Sequence, residues 1–125
     1  MKNNFIERLN IYDGLITYND FDIDEEKSFE EQMYSCKEDI LQIAFGERFT
    51  LDVGWYPEMK KSGNFLVRGI QDFYWLEPVI VIKCRTLNRL KCAIEKVAQF
   101  LSERSKIKNL PFKDLEHYLD CIKNK

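Results

Sequence analysis

The chain has 125 residues, 45% of them hydrophobic and 14% aromatic, which suits one domain with a real core and excludes a disordered polymer. No apolar run approaches the ~20 residues of a helical membrane span, and a net charge of −2 excludes a generally basic nucleic-acid binder. Residues 1 to 7 lack the apolar stretch of a secretory signal, so the cytoplasm is the expected location.

The first elements in chain order are two short strands, 5–11 and 15–18, joined at Tyr12-Asp13-Gly14, because Asp-Gly is a strong hairpin signal. An acidic loop, 19–27, follows. Ser28 and Glu31 have the spacing of a capping box, and Phe29, Met33, Cys36, Ile40 and Ile43 recur at intervals of three and four. That pattern predicts an amphipathic helix ending at Gly46.

Three strands come next, at 49–56, 64–71 and 79–85. Phe49, Leu51, Val53 and Trp55 alternate with Thr50, Asp52, Gly54 and Tyr56, and Pro57 ends the ladder for want of an N–H. The run Val79-Ile80-Val81-Ile82 is apolar at every position and predicts a central strand covered on both faces. Thr86 is a suitable cap for a helix that buries Leu87, Leu90, Ile94, Val97, Ala98 and Leu101. A last short helix, with Pro111 in its first turn, carries Phe112, Leu115, Tyr118, Leu119 and Ile122.

The expected fold is a single α+β domain over residues 1–125, in the order β-β-α-β-β-β-α-α. An antiparallel sheet of about five strands packs against two to three helices.

The net charge hides an asymmetry. Residues 1–59 hold 14 acids and 5 bases, and residues 60–125 hold 7 acids and 14 bases. The densest acids are Asp20, Asp22, Asp24, Glu25, Glu26, Glu30 and Glu31, interrupted by Lys27. They form either a patch that steers a basic partner or a solvated loop leading into a helix N-terminus. Lys83, Arg85, Arg89, Lys91 and Lys96 are not interleaved with aromatics, which favours a solvated helix face over a nucleic-acid platform.

Chemistry-bearing motifs are scarce. His117 is the one histidine, the four cysteines (Cys36, Cys84, Cys92, Cys121) form no CxxC pair, and neither phosphate-cradling glycine motif occurs. No catalytic residue, cofactor site or metal site is therefore assigned, and the cysteines are expected as free thiols. Asp52 stands out because strands disfavour Asp. It either faces solvent or makes a specific polar contact. Trp55, Tyr56, Phe73, Tyr74 and Trp75 lie near strand ends, where aromatics serve as core packing or as binding anchors.

Residues 51 to 97 resemble small bacterial immunity proteins of contact-dependent growth inhibition and related polymorphic toxin systems. The resemblance lies in DVGWYPE (Asp52 to Glu58), the Gly–aromatic start of the next strand (Gly63 to Phe65), Trp75 ahead of Pro78, and a helix after Arg85. It implies a cytoplasmic, non-enzymatic antidote that binds the C-terminal toxin domain of a cognate polymorphic toxin, often a nuclease, and blocks its active site or substrate path. Direct contact with nucleic acid or membrane is not implied. Candidate toxin-contacting residues from the charge and aromatic patterns are Asp20, Asp22, Asp24, Glu25, Glu26, Trp55 and Tyr56. The alternatives are a regulatory adaptor with another protein partner and, more remotely, a small enzyme using carboxylates such as Asp52.

Overall fold

A computed structural model of the chain describes residues 5–124. Among them, five strands form one antiparallel meander: β1 (Leu15–Asn19), β2 (Leu41–Phe45), β3 (Phe49–Tyr56), β4 (Asn64–Gln71) and β5 (Ile80–Cys84), in spatial order β1-β2-β3-β4-β5. Two α-helices follow, α1 (Leu87–Ser105) and α2 (Leu115–Lys123), and 3-10 turns occupy Ile6–Arg8 and Glu30–Ser35. The architecture is the expected α+β sheet covered by helices.

One face of the sheet carries the core. Leu41, Ile43 and Phe45 of β2, Leu51, Val53 and Trp55 of β3, and Phe65 and Val67 of β4 are buried together with Leu90, Ile94, Val97 and Leu101 of α1. Period-2 alternation in the strands meets period-3.6 spacing in the helix, so each element buries one face. Thr86 caps α1, its hydroxyl accepting from the Arg89 N–H. Trp55 is fully buried, edge-on to Phe65 at 4.9 Å and tilted against Phe29 at 5.2 Å, and its Nε1 donates to the Lys60 carbonyl at 2.8 Å.

The structure corrects several expectations. Residues 5–11 form no strand: Phe5 stacks on Phe21 at 4.7 Å and a 3-10 turn follows. Asp13-Gly14 is a turn without a first strand to pair, and Asp13 instead accepts from Ser102 of α1 and from Lys106 just after it. The helix expected from Ser28 is only a kinked 3-10 segment, Gln32 having φ −136° and ψ 37°. Its capping box does form, the Ser28 N–H donating to Glu31 and the Glu31 N–H to the Ser28 hydroxyl.

The rest of that segment becomes sheet. The Trp55 N–H donates to the Lys37 carbonyl and the Ile40 N–H to the Val53 carbonyl. Residues 40–45 fit both periods, and pairing with β3 supplies tertiary burial that a short helix lacks. The β5 segment is an edge strand, with Val81 half-exposed. Pro111 lies ahead of α2, which starts after the cap Asp114, and Tyr118 is the buried side chain of that helix.

Glycine tests the packing of β3. A Cβ on Gly54 would collide with the Glu38 backbone carbonyl, while Gly46, at φ +67° in the β2–β3 turn, has open space around it. Gly54→Ala is expected to cost about 3 kcal/mol and Gly46→Ala about 1 kcal/mol. Urea midpoints of the two variants check the order.

Candidate functional site

The sheet face opposite α1 carries a polar rung. The ladder sets Tyr18 opposite Gln42, Gln42 opposite Asp52, Asp52 opposite Arg68, and Arg68 opposite Val81, so one row crosses all five strands. Its centre is Asp52, 1% exposed. Arg68 Nη2 donates to Asp52 Oδ2 at 2.8 Å, and Gln42 Nε2 donates to Oδ1 at 3.2 Å. Arg68 also donates to the Tyr56 hydroxyl at 3.0 Å, and that hydroxyl donates to the Glu38 carbonyl at 3.2 Å. The Arg68 guanidinium lies 5.3 Å from the Tyr56 ring centre and 5.6 Å from that of Trp75. Asp52 thus makes a specific polar contact, the second of the two alternatives its strand position allowed.

Beside this rung is a cleft of about 550 Å³. Its floor is Gln42, Ala44 and Thr50, and its far wall is Trp75 from the β4–β5 loop with Tyr118 and Ile122 from α2. A second buried ion pair places that wall. Asp72 is wholly buried, and Arg48 grips it with Nε at 2.6 Å and Nη2 at 3.0 Å. The same guanidinium donates to the carbonyls of Leu110 and Pro111 and lies 3.8 Å from the Phe112 ring centre. The Lys113 N–H also donates to Asp72. His117, half-buried, joins its Nε2 to the Phe73 carbonyl at 2.9 Å, with Cys121 Sγ 3.5 Å away. These contacts tie α2 to the loop that carries Trp75.

The two buried carboxyls shift in opposite directions. Burial pushes Asp52 above the usual carboxylate range, and Arg68 and Gln42 only partly offset it. Burial also acts upward on Asp72, but Arg48, the Lys113 amide and Gln71 overcome it and hold that carboxyl below the usual range. The difference follows from the donors: Asp72 accepts four bonds to charged or amide groups and Asp52 accepts two.

The expected contact residues do not fall in one place. Trp55 is core on the opposite face, so it offers no surface. Tyr56 is on the open face, committed to Arg68 and Glu38. The acids lie on the segment after β1. Asp20 pairs with Lys37 at 2.6 Å, Glu25 with Arg8 at 2.5 Å, and Glu30 with Lys61 at 2.8 Å. Asp22, Asp24 and Glu26 form no ion pair among the described residues.

Of the bases, Arg85 donates to the carbonyls of Gly63 and Lys61, and Lys91 pairs with Glu95. Lys83, Arg89 and Lys96 border a groove between β5 and α1. All four cysteines are free, Cys36 and Cys84 buried and Cys92 exposed. Among the described residues no group of His, Cys, Asp and Glu is arranged to hold a metal, and no helix is long and apolar enough to cross a membrane.

Arg68, Arg48 and Asp72 carry no mark in the sequence of their own. The register of the 49–56 and 64–71 hairpin was the available signal for Arg68. No family model matches this chain, and neither the curated proteins nor the solved structures yield a match.

Asp52→Ala is expected to cost about 3 kcal/mol, because Arg68 is left partly buried without its counter-charge. Denaturant titration, with the double variant Asp52→Ala/Arg68→Met regaining part of the loss, checks it. The pH dependence separates the two carboxyls. Asp72, depressed when folded, contributes stability above the unfolded value near 3.9 that is lost as pH falls through the lower folded value. Asp52, raised when folded, has the opposite sign and is relieved by acid. Asp72→Asn should therefore flatten the acid limb of the stability curve, and Asp52→Asn should steepen it.

Proposed function

We propose that this chain is an immunity protein of a polymorphic toxin system. It works in the cytoplasm, binds the toxin domain of its cognate effector, a nuclease, and covers that domain's active site or substrate path. The observation that carries the reading is the trio Asp22, Asp24 and Glu26, which form no ion pair among the described residues, although Asp20, Glu25 and Glu30 around them are all paired. A nuclease surface that grips a phosphate backbone is basic, and an uncompensated acidic strip can occupy it and speed association.

The resemblance over residues 51 to 97 points the same way. The open face also favours binding over turnover. Both oxygens of the buried Asp52 carboxylate are taken up, by Arg68 and Gln42, while Tyr18, Trp75 and Ile122 are exposed on that side. Those are the ingredients of an interface, in which aromatic and aliphatic anchors surround a polar centre.

The test is co-expression with the C-terminal domain of the protein encoded immediately upstream, the tag on that domain alone. A stoichiometric complex, and toxicity of the domain without this chain, are expected. Within that complex, Asp22→Lys/Asp24→Lys/Glu26→Lys should slow association about tenfold or more at low salt and much less at high salt. Glu25→Lys, which also breaks the Arg8 pair, should do little. Unchanged affinity and salt dependence in the triple variant would remove the acidic strip from the interface.

A further inference from the structure

The two edges of the sheet are not alike. β5 presents Lys83 and is followed by α1, which packs beside it. Both are ordinary protections of a sheet edge. β1 has neither. Its sequence, Leu15-Ile16-Thr17-Tyr18-Asn19, holds no charge and no proline, and all five residues are exposed, Leu15 to 69% and Tyr18 to 42%. Among the described residues, no backbone hydrogen bond reaches it except those of the β1–β2 ladder. A register shift between Ile16 and Tyr18 is the one edge-blunting device it has, and paired residues flank it on both sides.

In a chain with 32% charged residues, five uncharged, strand-forming residues on an open edge form a template for another strand. We propose that β1 receives an extended segment of the partner protein as a sixth strand, and that this segment carries lysine or arginine. The charge follows from what adjoins the edge. The chain runs from Asn19 into Asp20, whose N–H still bonds to the Ile40 carbonyl in line with the sheet, and then into Asp22, Asp24 and Glu26, which form no ion pair among the described residues. A basic strand laid along β1 would meet those carboxylates at its end. Main-chain bonds supply the affinity in such an addition, and flanking side chains supply the choice of partner.

A second copy of this chain fits less well. Antiparallel self-pairing centred on Thr17 would set Tyr12 of each copy opposite Asp22 of the other, with Asp13 beside it, so the second copy brings no base to that carboxylate.

The identification of the partner as a toxin rests on the function proposed above, but the edge itself can be tested without it. The probes are two acetylated octapeptides, one alternating lysine with valine and one alternating glutamate with valine, added to ¹⁵N-labelled protein. The lysine peptide is expected to slow amide exchange in 15–19 about tenfold and to shift the resonances of 20–26. The glutamate peptide should do neither. Leu15→Lys/Tyr18→Lys alters only exposed side chains. It should leave the thermal melt in place and abolish the effect.

No protection in 15–19, or equal protection by both peptides, overturns the proposal. So does self-association that the double variant removes, which would make a second copy the occupant. With the toxin domain in hand, unchanged affinity of the double variant sinks the edge site and leaves the antidote role standing. Absence of any toxic partner sinks that role and leaves the peptide result intact.

Discussion

A carboxylate buried at the middle of the central strand is the constraint on which the open face depends. Asp52 lies on β3, between the strands that bear its partners, and each partner comes from a different neighbour: Gln42 from β2 and Arg68 from β4. A slip of one residue that turned β3 over would carry Asp52 to the core face, against Leu90, Ile94 and Val97 of α1 where nothing could solvate it, and would expel Leu51 and Val53 from that face. The rung therefore enforces the register of the three middle strands, while apolar burial supplies most of the stability. It also fixes the geometry around itself, since Tyr56 and Trp75 approach the same guanidinium.

The Arg48–Asp72 pair does for the last third of the chain what Asp52 does for the sheet. α2 contributes one buried side chain, Tyr118, which is too little apolar area to hold a nine-residue helix in place. Its position also comes from polar contacts, with Arg48 holding the carbonyls before it and His117 holding the Phe73 carbonyl, and from the packing of Tyr118 against Phe73 and Phe112. The outcome is a helix whose Leu115, Leu119 and Ile122 stay exposed, with Ile122 lining the cleft. The molecule thus has a firm apolar side, built by α1, and an open side whose apolar groups are held by charge pairs and left uncovered. An interaction protein has use for that second side.

Much of the fold can be read from particular residues. The strands 49–56 and 64–71 are legible because alternation, the Pro57 stop and the intervening loop agree, and α1 because its cap and its stripe agree. The pairing of Asp52 with Arg68 was within reach too, since counting back from the Tyr56–Asn64 end of that hairpin sets them opposite each other. Residues 28–46 misled for a physical reason: the positions that repeat every three or four residues there overlap those that alternate, and a sound capping box adds local weight to the helix. Asp72 could not be foreseen. It follows β4 at φ 57°, and its partners are 24 and 41 residues away in the chain.

The sequence by itself determined the class of the fold, the central hairpin, the long helix and the unequal division of charge, because these rest on local periodicity, turn chemistry and composition. The tertiary structure alone decided three other things. It turned residues 41–45 into a strand, because pairing with β3 buries them better than one short helix could. It buried Trp55 and left Trp75 outside, because packing decides which face of β3 is covered by α1 and where the β4–β5 loop comes to rest. It also selected which acids remain uncompensated, because whether a carboxylate meets Lys37, Arg8 or water depends on where distant parts of the chain come to rest.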